Sequence, residues 1–101
     1  MIKAKFNIRN ADAAFTVTGH SGSAESGKDI VCAAVSSAAY MAANTITEVL
    51  GTDAETEVDD GYMKVSFVNS EAAADIVRGL KLHLEQLSND YPQFVKVTTE
   101  V

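Results

Sequence analysis

A mixed α+β fold, with a mostly antiparallel sheet packed against two helices, follows from three features of this 101-residue chain. Two pairs of alternating apolar and polar stretches are each joined by a short turn, the pattern of β-hairpins. Two long stretches instead repeat their apolar residues at the helical period. A last alternating stretch follows a Tyr-Pro break, which completes the order β-β-α-β-β-α-β. The length suits a single domain over residues 1–101, since one core commonly takes about 100–150 residues.

The elements read as follows. Ile2, Ala4, Phe6 and Ile8 alternate with Lys3, Lys5, Asn7 and Arg9, so the first strand has one apolar and one wet face. Asn10-Ala11-Asp12 is a turn, after which Ala13, Phe15 and Val17 alternate with Ala14, Thr16 and Thr18. The next segment, GHSGSAESGKD, holds three glycines and three serines in eleven positions and is a loop by composition. A helix is expected from residue 30 to about residue 50, where Gly51 supplies a stop and Asp29 is placed to cap the start. Its first half, IVCAAVSSAAYMAAN, is apolar or small on every side, which predicts burial on most faces. Asp60-Gly61 joins strands expected over residues 56–59 and 62–68, with Met63, Val65 and Phe67 facing inward. The second helix is expected over about 71–89, capped by Ser70. Ile76, Leu80, Leu84 and Leu87 recur there at helical spacing, with Val77 beside them. Tyr91-Pro92 ends that helix, and residues 94–99 form the last strand.

Charge and composition bound the function. Fourteen acidic against eight basic side chains leave a net charge of −6, which argues against nucleic acid as a direct partner. The same balance suits a soluble protein or one that handles a basic partner. With 47% apolar residues, the chain is too hydrophobic for disorder. Ser, Thr and Asn interrupt the longest apolar run before the ~20 residues of a membrane span, so no membrane is expected. Alternation from the first residues leaves no signal peptide, and one cysteine makes no internal disulfide, which together predict a cytoplasmic protein. One Cys and two His fall short of the about four ligands of a structural zinc, and neither metal nor cofactor is expected.

That single cysteine is the chemical feature of the chain. Cys32 falls three residues past Asp29, in the expected first helical turn, where unpaired N–H groups and the positive dipole end favour a thiolate. A nucleophilic cysteine also needs a base. His20 lies twelve residues upstream, where the second strand feeds the loop, and a Gly/Ser-rich loop of that length can return the imidazole to the sulfur. A cysteine in an alanine-rich helix is equally a common small hydrophobe. Spacing alone leaves the two readings level.

The stretch Gly19-His20-Ser21-Gly22-Ser23-Ala24-Glu25-Ser26-Gly27-Lys28-Asp29-Ile30-Val31-Cys32-Ala33-Ala34-Val35-Ser36 resembles the signature of the ribosomal-processing cysteine protease family, Prp. There a Gly-His pair is followed, after a loop, by Gly-x-Asp-[Ile/Leu/Val]-Val-Cys-Ala-[Ala/Gly]-Val-Ser. Chain length and element order are also similar from end to end. The resemblance implies a cysteine endopeptidase that removes the N-terminal extension of a ribosomal large-subunit protein, the L27 homologue. It further implies Cys32 as nucleophile and His20 as general base, with Asp29, Ser36 and Gly19 in supporting positions. Ser36 falls one helical turn past Cys32 on the same face. Asp29 is placed to cap the helix, pin the loop or orient His20, and the sequence does not choose among these. Ser21, Gly22, Ser23 and Gly27 lie in a loop placed to gate the substrate. Ser21 and Ser23 depart from the family, in which Ala and then an aromatic residue commonly follow the His. That departure touches the shape of the substrate groove. The resemblance also suggests a homodimer, formed through the exposed sheet face or the helix edge.

Three other signals point elsewhere. Gly22 to Asp29, GSAESGKD, nearly matches a phosphate-binding loop, but Asp replaces the final Ser or Thr and would repel phosphate. Asp53, Glu55, Glu57 and Asp59 alternate along one strand and read as a solvated edge that deters edge-to-edge pairing. His83 borders the apolar stripe of the second helix and reads as a core-edge residue. Two classes of function remain: a cysteine protease using Cys32 and His20, and a non-catalytic ribosome-associated module that binds a basic segment.

Overall fold

Two residues, Asn10 and Ala11, suffice to reverse the chain between β1 (Ile2–Arg9) and β2 (Asp12–Thr18). Asn10 takes a positive φ of 52°, which an Asn tolerates better than most residues, and Asp12 already belongs to the strand, paired with Arg9. A computed structural model describes residues 1–19 and 28–100, with the side chains of Lys28 and Asp29 left aside. Within it follow α1 (Lys28–Asn44), a π-helical turn (Thr45–Val49), β3 (Glu55–Asp59), β4 (Tyr62–Phe67), α2 (Glu71–Asp90) and β5 (Val95–Glu100). The observed order is the expected β-β-α-β-β-α-β.

The strands form one sheet in the order β3-β4-β2-β1-β5. Three neighbouring pairs are antiparallel, and β1 with β5 is parallel, Ile2 opposite Val95. Alternation decides which face is covered. Ile2, Ala4, Phe6, Ala13, Phe15, Val17, Met63, Val65, Phe67 and Val95 are buried. The residues between them on β1, β2 and β4 are exposed or half-buried. Both helices pack on the buried face and leave the other open, so the domain has two layers. Phe6 and Phe15, on neighbouring strands, stack with ring centres 6.1 Å apart.

α2 begins as expected at Ser70, whose hydroxyl accepts the Ala73 N–H at 3.2 Å. Ala73, Ala74, Val77, Leu80 and Leu84 are its buried face, with Ile76 and Leu87 half-buried beside them. The tip of the first hairpin is docked on the start of α2. Ser70 N–H donates to the Ala11 carbonyl, Asn69 N–H to the Asp12 carboxylate, and Arg78 Nη2 to the Asn10 carbonyl at 2.9 Å.

α1 departs from expectation at its start and ends near residue 50 as expected. It starts at Lys28, two residues early, so Asp29 is inside the helix and not its cap. At the far end it runs through Asn44 into the π-helical turn, where Leu50 N–H donates to Thr45 O at 2.9 Å. Thr45 and Thr47 hydroxyls donate to the carbonyls of Met41 and Ala43, four residues back, a bonding mode that distorts helices and accompanies the wider last turn. Gly51, at φ +63°, then ends it. The Ser, Thr and Asn residues expected to cut the apolar run short of a membrane span do not do so by composition. Ile30–Val49, at 20 residues, is long and apolar enough by composition to cross a membrane. Core helices meet the same test, and Val31, Cys32, Val35, Ala39 and Ile46 are buried in the shared core.

β3 is an edge strand with all five residues exposed, which puts Glu55, Glu57 and Asp59 in solvent. Among the described residues, no group of three or more His, Cys, Asp or Glu is placed to hold a metal ion.

Candidate active site

Cys32 is the fifth residue of α1, one position beyond the first turn in which it was expected. Its own N–H is thereby committed to the carbonyl four residues back, and the unpaired donors of the helix start belong to the residues before it. Each Cα–Cβ bond of a helix tilts toward the N-terminus, so the Cβ of Cys32 inclines toward the helix start. A group there that accepts negative charge meets aligned N–H dipoles.

The thiol is free and 3% exposed. It shares the buried cluster with Val31 and Val35, on the face of α1 that meets the sheet. The small side chains on either side, Ala33 and Ala34, point away from that face and are exposed or half-buried. Ser36, one turn on, is half-buried. A single sulfur among apolar side chains at a helix start can act as a nucleophile toward a carbonyl carbon once a base takes its proton.

Gly19 follows the last residue of β2. Its N–H donates to the Gly61 carbonyl at 2.9 Å, which ties the exit of β2 to the β3–β4 turn, and its φ is +80°. His20, Ser21, Gly22, Ser23 and Gly27 lie outside the described residues, as does the side chain of Asp29.

The second histidine is elsewhere. His83 is exposed on α2 and lines an open groove of about 630 Å³ between the outer surfaces of the two helices, with Ala34, Ser37, Ala38, Met41 and Gly79. Cys32 faces the sheet and does not reach this groove. His83 therefore lies beyond the core edge at which it was expected. The uncharged outer face of α1 is the feature that sequence reasoning passed over. No Asp, Glu, Lys or Arg occurs between Ile30 and Thr47, and that absence was visible in the sequence.

Comparison with known proteins gives consistent matches across the chain. The family model for cysteine protease Prp matches residues 1–96. The ribosomal processing cysteine protease Prp of Bacillus subtilis (strain 168) is 30% identical over 95 residues, covering 86% of this chain and 85% of its own. The crystal structure of SMU.848 from Streptococcus mutans superposes with a TM-score of 0.86 at 30% identity, covering 98% and 93% of the two chains. The S. aureus ribosomal processing protease Prp, solved with a substrate peptide, has a TM-score of 0.88 at 20% identity, covering 99% and 100%.

Proposed function

The chain belongs to the cysteine protease Prp family and is a cysteine protease, and from that membership we propose that it removes the N-terminal extension of a ribosomal large-subunit protein, the L27 homologue. Cys32 is the nucleophile and His20 the general base. The observation that carries this reading is the place of the chain's single cysteine near the start of α1, within the family match.

In the proposed reaction His20 takes the thiol proton as Cys32 Sγ attacks the scissile carbonyl carbon. The carbonyl oxygen becomes an oxyanion, for which the unpaired N–H groups of the first turn of α1 are the nearest preorganised donors. Collapse breaks the C–N bond, and the protonated imidazole returns the proton to the departing amine. Water, deprotonated by the same imidazole, then hydrolyses the thioester and frees the cleaved extension. Asp29 and Ser36 support this centre, Ser36 from the next turn of the same helix face.

A net charge of −6 suits a basic ribosomal substrate by long-range attraction, and the free cysteine suits a reducing cytoplasm. The protein acts as a homodimer. Two copies of such charge meet with least repulsion on the uncharged outer face of α1, which exposes Ile30, Tyr40 and Met41. The direct test is a fluorogenic peptide spanning the extension junction. Wild type cleaves it, and Cys32→Ala and His20→Ala each reduce kcat/KM by at least about 10²-fold. Undiminished cleavage by either variant overturns the assignment of that residue.

A further inference from the structure

We propose that the open face of the sheet binds single-stranded RNA, with Lys3, Lys5, Lys64 and Lys96 on its phosphates and Tyr62 under a base. The choice of RNA among polyanions rests on the ribosomal substrate proposed above, whereas the site rests on the register of the strands. Five of the chain's eight basic side chains, these four lysines and Arg9, stand on the face that the helices leave uncovered. Lys3 is opposite Lys96 in the parallel pair of β1 with β5 and opposite Thr18 in the antiparallel pair with β2. Thr18 in turn is opposite Tyr62. One row across four strands therefore reads Lys96, Lys3, Thr18, Tyr62. The neighbouring row, two residues along each strand, reads Thr98, Lys5, Thr16, Lys64.

Like charges directly opposite each other weaken a sheet, yet Lys3 and Lys96 share a register position, with Lys5 on the same face. Although the chain has fourteen carboxylate side chains, Lys3, Lys64 and Lys96 make no ion pair among the described residues. Lys5 reaches Glu100 at 3.7 Å, with both side chains more than half exposed. A lysine on an edge strand deters edge pairing, which accounts for Lys96, but β1 is an interior strand between β2 and β5. The carboxylates of this face stand at its margins. Glu55, Glu57 and Asp59 lie on the edge strand β3, Asp12 at the hairpin and Glu100 at the end of β5. The net charge of −6 that argued against nucleic acid thus describes the whole chain, while the register gathers cations on β1, β4 and β5. Ammonium groups suit a phosphate backbone, and the half-buried Tyr62 offers a ring for stacking. The half-buried hydroxyls of Thr16, Thr18 and Thr98 between them suit the 2′-OH of RNA.

The test follows the fluorescence anisotropy of a labelled single-stranded uridine oligomer of about 15 nucleotides. The proteins are wild type, the double variant Lys3→Gln/Lys96→Gln, Tyr62→Leu and, as a control on α2, Lys81→Gln. For wild type the logarithm of the binding constant falls against the logarithm of salt with a slope of about −3, from four lysines at about 0.7 each. The double variant binds more weakly and its slope falls to about −1.4. Tyr62→Leu loses about fivefold or more with the slope unchanged, and Lys81→Gln binds as wild type does. A deoxyuridine oligomer of the same length binds more weakly, for want of the 2′-OH. The double variant keeps its thermal stability, since it loses a like-charge pair, and keeps wild-type kcat/KM on the junction peptide, since Cys32 lies on the other side of the sheet. Absent binding by wild type at low salt, or equal binding by wild type and the double variant, overturns the proposal. Equal affinity for the deoxyuridine oligomer overturns RNA as the ligand, and full affinity in Tyr62→Leu overturns the stacking role. Lost stability in the double variant makes the lysines structural and overturns the site. RNA binding without peptide cleavage overturns the proposed substrate alone, whereas cleavage without RNA binding overturns this inference alone.

Discussion

Replacing Cys32 by Ala and by Ser should separate burial of the sulfur from its chemistry. The thiol is 3% exposed and packs in the cluster of Val31, Val35 and Ala39. Alanine removes one heavy atom from that cluster, a loss of about 1 kcal/mol from transfer and the small void left behind. Serine keeps the size but loses the same apolar transfer and adds a hydroxyl among apolar side chains, a further penalty of about 1–3 kcal/mol unless a partner is found. Within a helix the hydroxyl can bond the carbonyl four residues back, which moves the penalty toward the lower end of that range. Both variants are inactive, and Cys32→Ser is less stable than Cys32→Ala by about 1–2 kcal/mol. In urea, where a domain this small changes by roughly 1 kcal/mol per molar denaturant, the midpoints differ by about 1–2 M. In a thermal scan the difference is about 4–15 °C. A serine variant as stable as the alanine variant refutes the reasoning, because the side chain would then occupy a wet or polar site and the buried cluster would end short of it.

Three further outcomes follow. Ser70→Ala removes the cap of α2 and lowers stability by about 1 kcal/mol, with Ser70→Asp recovering most of the loss and kcat/KM unchanged in both; equal stability of wild type and Ser70→Ala in urea would show the cap bond to be idle. His83→Ala leaves kcat/KM within about twofold of wild type, since His83 lies on the outer groove away from Cys32; a large loss in the peptide assay would place the base on α2. Met41→Asp puts a carboxylate on the uncharged outer face of α1, where Met41 is 66% exposed, and is expected to convert the proposed homodimer to monomer in sedimentation; a dimer unchanged by it moves the proposed interface to another surface, and a monomeric wild type overturns the proposed dimer.

The hairpins and α2 were legible in the sequence because their signals are local. Asp60-Gly61 needs only a two-residue turn, and Gly61 takes φ +70° there. Ser70 needs only the first turn of the helix it caps. The parallel pairing of β1 with β5 joins residues more than ninety positions apart, and no local pattern carries it. The first helix was misread at its start, and the widening of its last turn was not foreseen. A carboxylate such as Asp29 suits both the cap and the first turn, so its presence does not separate them. The stop at Gly51 was legible, but the π-helical turn before it was not, since the bonds of the Thr45 and Thr47 hydroxyls to carbonyls four residues back leave no distinct sequence pattern. Cys32 shows the limit at the site. Its place near a helix start was legible and its burial was also foreseeable, but the choice between nucleophile and small hydrophobe came from the family signature around it.

The central claim is a covalent intermediate on Cys32, and intact-mass measurement of an acid-quenched single turnover tests it most directly. The account predicts an adduct equal to the acyl portion of the junction peptide on the wild-type chain, and none on Cys32→Ala. His20→Ala forms it far more slowly. An adduct that persists in Cys32→Ala, or cleavage by wild type with no adduct at any quench time, would contradict the account.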